Sequence, residues 1–91
     1  PSEGLLMVFD TDNTWGVWMK DMKLSIDIIW LDSDKKVVYS VTNAAPELST
    51  TKTFKPKDPA RYILELPAGS VQQYGIKAGD VAEFRLPGED I

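Results

Sequence analysis

The sequence contains no cysteine and no histidine. The first absence excludes a disulfide, a thiolate nucleophile and any zinc site built on cysteine. The second removes imidazole as an acid, base or ligand, and with it a Ser-His-Asp triad. Chemistry within this chain must rest on carboxylates, lysines, hydroxyls or backbone groups, and the residues suggest neither a cofactor nor a metal. Long apolar runs are also missing. No stretch approaches the ~18 residues of a membrane span, and no basic-then-apolar leader opens the chain. A soluble protein without a transmembrane segment is expected, although a removed export signal would leave no trace. Positive charge is scarce and scattered: 10 basic side chains face 14 acidic ones, for a net charge of -4. Nucleic-acid binding relies on Lys and Arg replacing counterions along phosphates, so neither nucleic acid nor an anionic membrane surface is expected as a partner.

What is present suits one small globular domain over residues 1–91. At this length folding buries roughly 60 to 65% of the surface exposed by the open chain, so the core is thin. Hydrophobic residues at 43% and charged residues at 26% lie in the ordinary folded range.

Strand signals dominate. Gly4 to Phe9 (GLLMVF) is an apolar run of strand length, Asp10 to Thr14 a polar turn, and Trp15 to Lys20 a second strand completing a hairpin. Ile26 to Leu31 (IDIIWL) and Val37 to Thr42 (VVYSVT), joined by the Asp32–Lys35 turn, make the clearest hairpin. Residues 43–58 hold Pro46 and Pro56 and read as a long surface loop, with a short strand near Thr51 to Phe54. Ala60 to Leu66 alternates, with Tyr62, Leu64 and Leu66 on one face and Arg61, Ile63 and Glu65 on the other. Ser70 is placed to cap a short helix near residues 68–75, which Gly75 would stop. Val81 to Leu86 reads as a final strand. The expected fold is mostly β (α+β): a small curled antiparallel sheet or barrel of about six or seven short strands with one short helix.

Asp27 is the most unusual residue, a carboxylate with apolar neighbours on both faces of its strand. A buried carboxylate needs hydrogen bonds or a cation, and Lys20, Lys23 and Arg61 are available cations. Asp27 is therefore either a general acid/base or ligand anchor, or a structural group bonded to a cation or to loop amides; the structural reading is favoured. Trp15, Trp18 and Trp30 fall within sixteen positions. Exposed tryptophans suit sugar rings or peptide side chains, but a thin core also needs them, so at least one should be buried. Asp10 to Thr14 and Asp32 to Asp34 alternate oxygen side chains as calcium loops do. However, Trp15 and Asp21 stand where such a loop needs Gly and Glu, so turn formation is the simpler account. Ser25, Ser40, Ser49 and Ser70 show no spacing that selects a Ser-Lys pair.

Trp18-Met19-Lys20-Asp21 leading into Leu24 to Ile28, the Leu31-Asp32 hairpin, and Tyr62 to Leu66 with Ala68-Gly69 form an ordered set. With Gly4 to Phe9 and Gly75 to Asp80, this set resembles the prokaryotic family called domain of unknown function 192. The resemblance spans nearly the whole chain. It implies a compact β-rich fold with a short helix, often in exported or lipid-anchored proteins, and it supplies no activity. An exported location is thus favoured, with a cytoplasmic one left open. Asp21 and Ser25 stand where the family usually has Asn and Pro, and the cysteine pair of some members is missing from the long loop. The resemblance also implies a further strand and a short helical segment ahead of Gly4. A trimmed, proteolysed or naturally short form would leave an open sheet edge, and self-association through it is expected.

Three functions remain open on the sequence. One is a non-enzymatic module binding a small molecule, glycan or protein, possible in the cell envelope, with Trp15, Trp18, Lys20, Asp27 and Arg61 near the ligand. Another is a small hydrolase-like enzyme using Asp27 with Lys20 or Glu65. The third is a structural or assembly domain.

Overall fold

A computed structural model describes residues 4–19, 24–46 and 53–84. Its elements are β1 (Leu5–Asn13), β2 (Val17–Trp18), β3 (Ile26–Leu31), β4 (Val37–Ala44), β5 (Thr53–Phe54), β6 (Ala60–Pro67) and α1 (Ser70–Tyr74). Four strands form an antiparallel sheet in the order β1-β6-β3-β4, while β2 and β5 pair as a separate ribbon. The mostly β expectation with one short helix holds. The sheet stays open, with β1 and β4 at its edges, and does not close into a barrel.

β3 lies at the centre, and every residue from Asp27 to Leu31 is buried. Ile28 and Trp30 face the ribbon, packing with Ile63, Val17, Met19 and Phe54. Ile29 and Leu31 face the other way, toward Val71 of α1 and the Ile76, Ala82 and Phe84 side chains that follow it. A strand between two layers must be apolar at both parities, which is why IDIIWL runs without alternation. Trp30 is fully buried, and its indole N–H donates to the Trp15 carbonyl at 2.8 Å. Trp15 in turn lies flat on Phe9, with ring centroids 4.4 Å apart.

Three local expectations are corrected. β1 does not turn back at Asp10 but continues through Asn13, which pairs with Ala60, and β2 pairs with β5 instead of β1. The polar stretch stays in the strand, where Asp12 accepts from Arg61 Nε at 2.7 Å. Residues 14–16 then carry the chain off the sheet, so that Val17 can cover its face. Val81 makes a single bridge to Lys36 where a final strand was expected, and residues 85 and 86 of that expectation lie outside the described residues. The segment is a strap: its backbone bonds join Asp80 and Gly79 to Val37 and Ala82 to Lys35. Its apolar side chains cover the sheet face, with Phe84 edge-on to Tyr62 at 5.1 Å.

Ser70, finally, does not cap α1; its hydroxyl donates back to the Pro67 carbonyl at 2.6 Å. Gly69 holds the N-cap position at φ 94°, a conformation that costs an L side chain energy. Gly75 ends the helix as expected, at φ 64°, and Ile76 N–H closes onto the Val71 carbonyl. At the β3–β4 turn the Asp32 carboxylate accepts from the amides of Asp34 and Lys36, both at 2.9 Å. Turn chemistry therefore accounts for that acidic cluster.

Candidate functional site

One end of the sheet gathers the start of β1, the end of β6, the start of β3 and the end of β4. The register there sets Ile26 opposite Pro67 and Ala44, Asp27 opposite Leu66, and Glu65 opposite both Ile28 and Leu5. Residues directly opposite in an antiparallel pair point to the same side. Asp27 and Leu66 therefore face α1, whereas Glu65, Leu5 and Ile28 face the ribbon side. Two carboxylates sit at the same end of one sheet, on opposite faces.

Asp27 has no exposed surface. One carboxylate oxygen accepts from the Asn43 amide and the other from the Val71 amide, each at 2.8 Å. Hydrogen bonds to a charged group contribute roughly 1.5–3 kcal/mol each, and burial without them would be prohibitive. Asn43 takes a left-handed φ of 53°, which aims its amide inward. The Val71 amide lies in the first turn of α1, a group that its own N-cap residue leaves without a side-chain partner. Asp27 thus performs from β3 the capping expected of Ser70. A cleft of about 460 Å³ adjoins this junction, walled by Thr42, Asn43, Gly69 and Gln72.

Arg61 is not a partner of Asp27. It lies five residues from Leu66 along β6, roughly 17 Å away at strand spacing, and pairs with Asp12. Lys20 and Lys23, the other cations considered for Asp27, lie outside the described residues.

Among the described residues, the covering layer on the ribbon side stops short of the sheet's end. Met7 and Phe9 are packed, but Leu5, one pleat further out, is 56% exposed. A cleft of about 330 Å³ opens there between Gly4, Leu5, Leu24, Ile26, Glu65 and Pro67. Leu24 on its wall is 63% exposed. Gly4 brings the chain close: a Cβ at that position would lie 2.8 Å from the Glu65 carbonyl oxygen. The Glu65 side chain is half-buried, and burial raises its carboxyl pKa above the ordinary value. Among the described residues it has neither a hydrogen bond nor an ion pair.

The sequence-predicted site residues are therefore dispersed. Asp27 lines the α1-side cleft, but Trp15, Trp18 and Arg61 line neither cleft. Trp15 is half-buried against Phe9, and Trp18 is 49% exposed on the ribbon. Leu5 and Leu24 were not singled out by sequence, and Glu65 was considered only as a second acid for Asp27. The signal for Glu65 was its parity: it shares a strand face with Ile63, which is buried.

The family model for DUF192, described as uncharacterized ACR, matches residues 1–84, so the chain belongs to that family. The UPF0127 protein of Thermococcus gammatolerans is 30% identical over 85 residues, covering 91% of this chain and 52% of its own. The chain spans about half the length of the UPF0127 proteins of Thermococcus gammatolerans and Pyrococcus furiosus. A crystal structure from Sinorhizobium meliloti, named as a candidate transcription regulator, superposes with a TM-score of 0.81 at 31% identity. It matches 88% of this chain and 60% of that one. A protein of unknown function from Novosphingobium aromaticivorans gives 0.82 at 27% identity, over 90% and 57% of the two chains.

Proposed function

We propose that this member of the DUF192 family is a non-catalytic binding module that takes its ligand in the Glu65 cleft. The ligand class is an apolar group with a cationic or hydrogen-bond-donating end. The observation that carries this reading is the carboxylate of Glu65, without a partner among the described residues, between two exposed leucines. Partial burial without a partner is an unrecovered desolvation cost, which an arriving cation or donor offsets. Apolar walls around one polar anchor are the usual composition of a ligand site.

The enzymatic alternative draws less support. Both Asp27 oxygens already accept backbone amides, and Glu65 projects from the opposite face of the sheet. The two acids do not converge on one bond, as paired acid/base catalysis requires. The name of the Sinorhizobium relative raises a nucleic-acid role, but a net charge of -4 gives the unfavourable sign for phosphate contact.

Titration of the isotope-labelled protein with n-hexylammonium, n-hexanol and n-hexanoate, followed residue by residue in NMR spectra, tests this reading. Hexylammonium should bind best and move the resonances of Leu5, Leu24 to Ile26 and Glu65. Glu65→Gln should weaken it roughly threefold to fivefold, the scale of a partly exposed ion pair. Its binding should also strengthen as pH rises through the raised Glu65 pKa. Equal binding of all three compounds, or shifts confined to other parts of the domain, would overturn the proposal.

A further inference from the structure

We propose that the α1 side of the sheet carries a separate ligand site, which takes a small, uncharged apolar molecule the size of a single substituted ring. The site is a cleft of about 340 Å³ between the sheet and the strap. It lies on the face opposite Glu65, and the residues that line it all fall between Ile29 and Ala82.

The floor follows from the register. Ile29 stands opposite Leu64 and Leu31 opposite Val37, so all four share the face toward α1. The strap's own residues explain why the space above them is left open. Between Ile76 and Val81 it carries Lys77-Ala78-Gly79-Asp80, a turn without a large apolar side chain. Ala82 reaches the core with only a methyl group, and Val81 is 62% exposed. Backbone bonds hold the strap at this height. Val37 N–H donates to the Asp80 carbonyl at 2.8 Å, Gly79 N–H to the Val37 carbonyl at 2.9 Å, and Ala82 N–H to the Lys35 carbonyl at 2.8 Å. The strap cannot close onto Ile29 and Leu64 without giving up some of them.

Polarity selects the occupant. Asp80 is the one titratable residue lining the cleft. It is exposed at the rim, where its Oδ2 accepts from the Lys77 amide at 2.8 Å. Unlike Glu65, it stays in water and has no lost hydration for a cation to make good. An ammonium or hydroxyl group carried down to Ile29 and Leu64 would therefore shed its water without return. An apolar molecule pays no such penalty, and it displaces water that aliphatic walls cannot hydrogen-bond. Closed apolar cavities of roughly 150 Å³ already admit benzene, so one ring fits here with room to spare.

Titration of the isotope-labelled protein with toluene and, separately, with n-hexylammonium tests the inference through methyl NMR spectra. Toluene should move the methyl resonances of Ile29, Leu31, Leu64 and Ile76, with a dissociation constant on the order of 1 mM for so small a ligand. Hexylammonium should act on these methyls about tenfold more weakly. Ala82→Leu, which fills the gap, should weaken toluene about tenfold without lowering the thermal unfolding temperature. Val81→Asp puts a charge on the exposed wall and should weaken toluene about fivefold in a folded domain. Toluene shifts confined to other methyls, equal action of the two compounds here, or undiminished binding by folded Ala82→Leu overturns the inference. Should Ala82→Leu not fold, undiminished binding by Val81→Asp overturns it instead. Binding at Glu65 is read from the separate resonances of Leu5 and Leu24, so either site can fail while the other stands.

Discussion

Asp27 and Glu65 belong to neighbouring strands at the same end of one sheet, and their surroundings differ completely. Asp27 is sealed on the α1 side with both oxygens bonded to amides, whereas Glu65 is half-buried on the ribbon side with no bond to any described residue. The same end of the sheet and similar chemistry therefore lead to opposite consequences. A carboxylate that brings its partners inside with it ties the fold together. One that is partly desolvated without partners leaves free energy for a ligand to recover.

Replacing Asp27 should have the largest effect. Asp27→Ala leaves the Asn43 and Val71 amides without acceptors and should cost about 3–5 kcal/mol in urea denaturation. Asp27→Asn keeps one acceptor but turns an N–H₂ toward the other amide, and should cost about 2 kcal/mol. If the Asn variant is as stable as the parent, the contrast with Glu65 collapses.

An intermediate effect is expected at the residue that delivers the helix start to Asp27. Gly69→Ala meets no atom within 4 Å, but its φ of 94° strains any side chain, so a loss of about 1–2 kcal/mol is expected. The double variant with Asp27→Asn should lose less than the sum, because both act through the first turn of α1. Strict additivity would uncouple the two.

Glu65→Gln should give the smallest change, and of opposite sign. A carboxyl whose pKa is raised on folding binds its proton more tightly in the native state. Native stability therefore falls as pH climbs from the unfolded pKa through the folded one. The Gln variant should lack that decline, be slightly more stable than the parent at neutral pH, and show no advantage once the medium is acidic enough to protonate Glu65 in both states. Thermal unfolding across pH 3 to 8, roughly the range that spans a carboxyl titration, reads this directly. A parent protein that gains stability from Glu65 ionisation would invert the contrast.

Much of this fold is legible in the residues. The runs IDIIWL and VVYSVT, with Asp32 between them, specify a hairpin by composition and turn chemistry alone. The alternation of ARYILEL assigns its two faces correctly, and Gly75 marks the end of α1. Strands at Trp15 to Lys20 and near Thr51 to Phe54 were expected, but the pairing of β2 with β5 was not legible, since the two are two residues long and separated by more than thirty positions. Nearness in sequence suggested β1 as the mate of Val17 to Trp18, while burial of Phe9 and Trp30 demanded a second layer there instead. At the candidate site, the isolation of Asp27 among apolar neighbours announced a buried acid but not its partners. Backbone amides carry no signature in the side-chain code, so Asn43 and Val71 emerge only from three dimensions. Leu5 and Leu24 were hidden for the converse reason: an exposed leucine looks like a buried one until the covering layer is seen to end.

The Asp27 junction also has a place in time. Its two hydrogen bonds span 16 and 44 residues of chain. Closing loops of that size costs conformational entropy before the bonds return anything, so β3, β4 and β6 must already be aligned when the carboxylate finds its amides. Such a contact is expected to form in the last steps of folding, after the transition state. Its loss should accordingly leave refolding rates nearly unchanged and appear as faster unfolding. Asp27 in this sense acts as a latch: it does little to guide the chain home and much to keep it there.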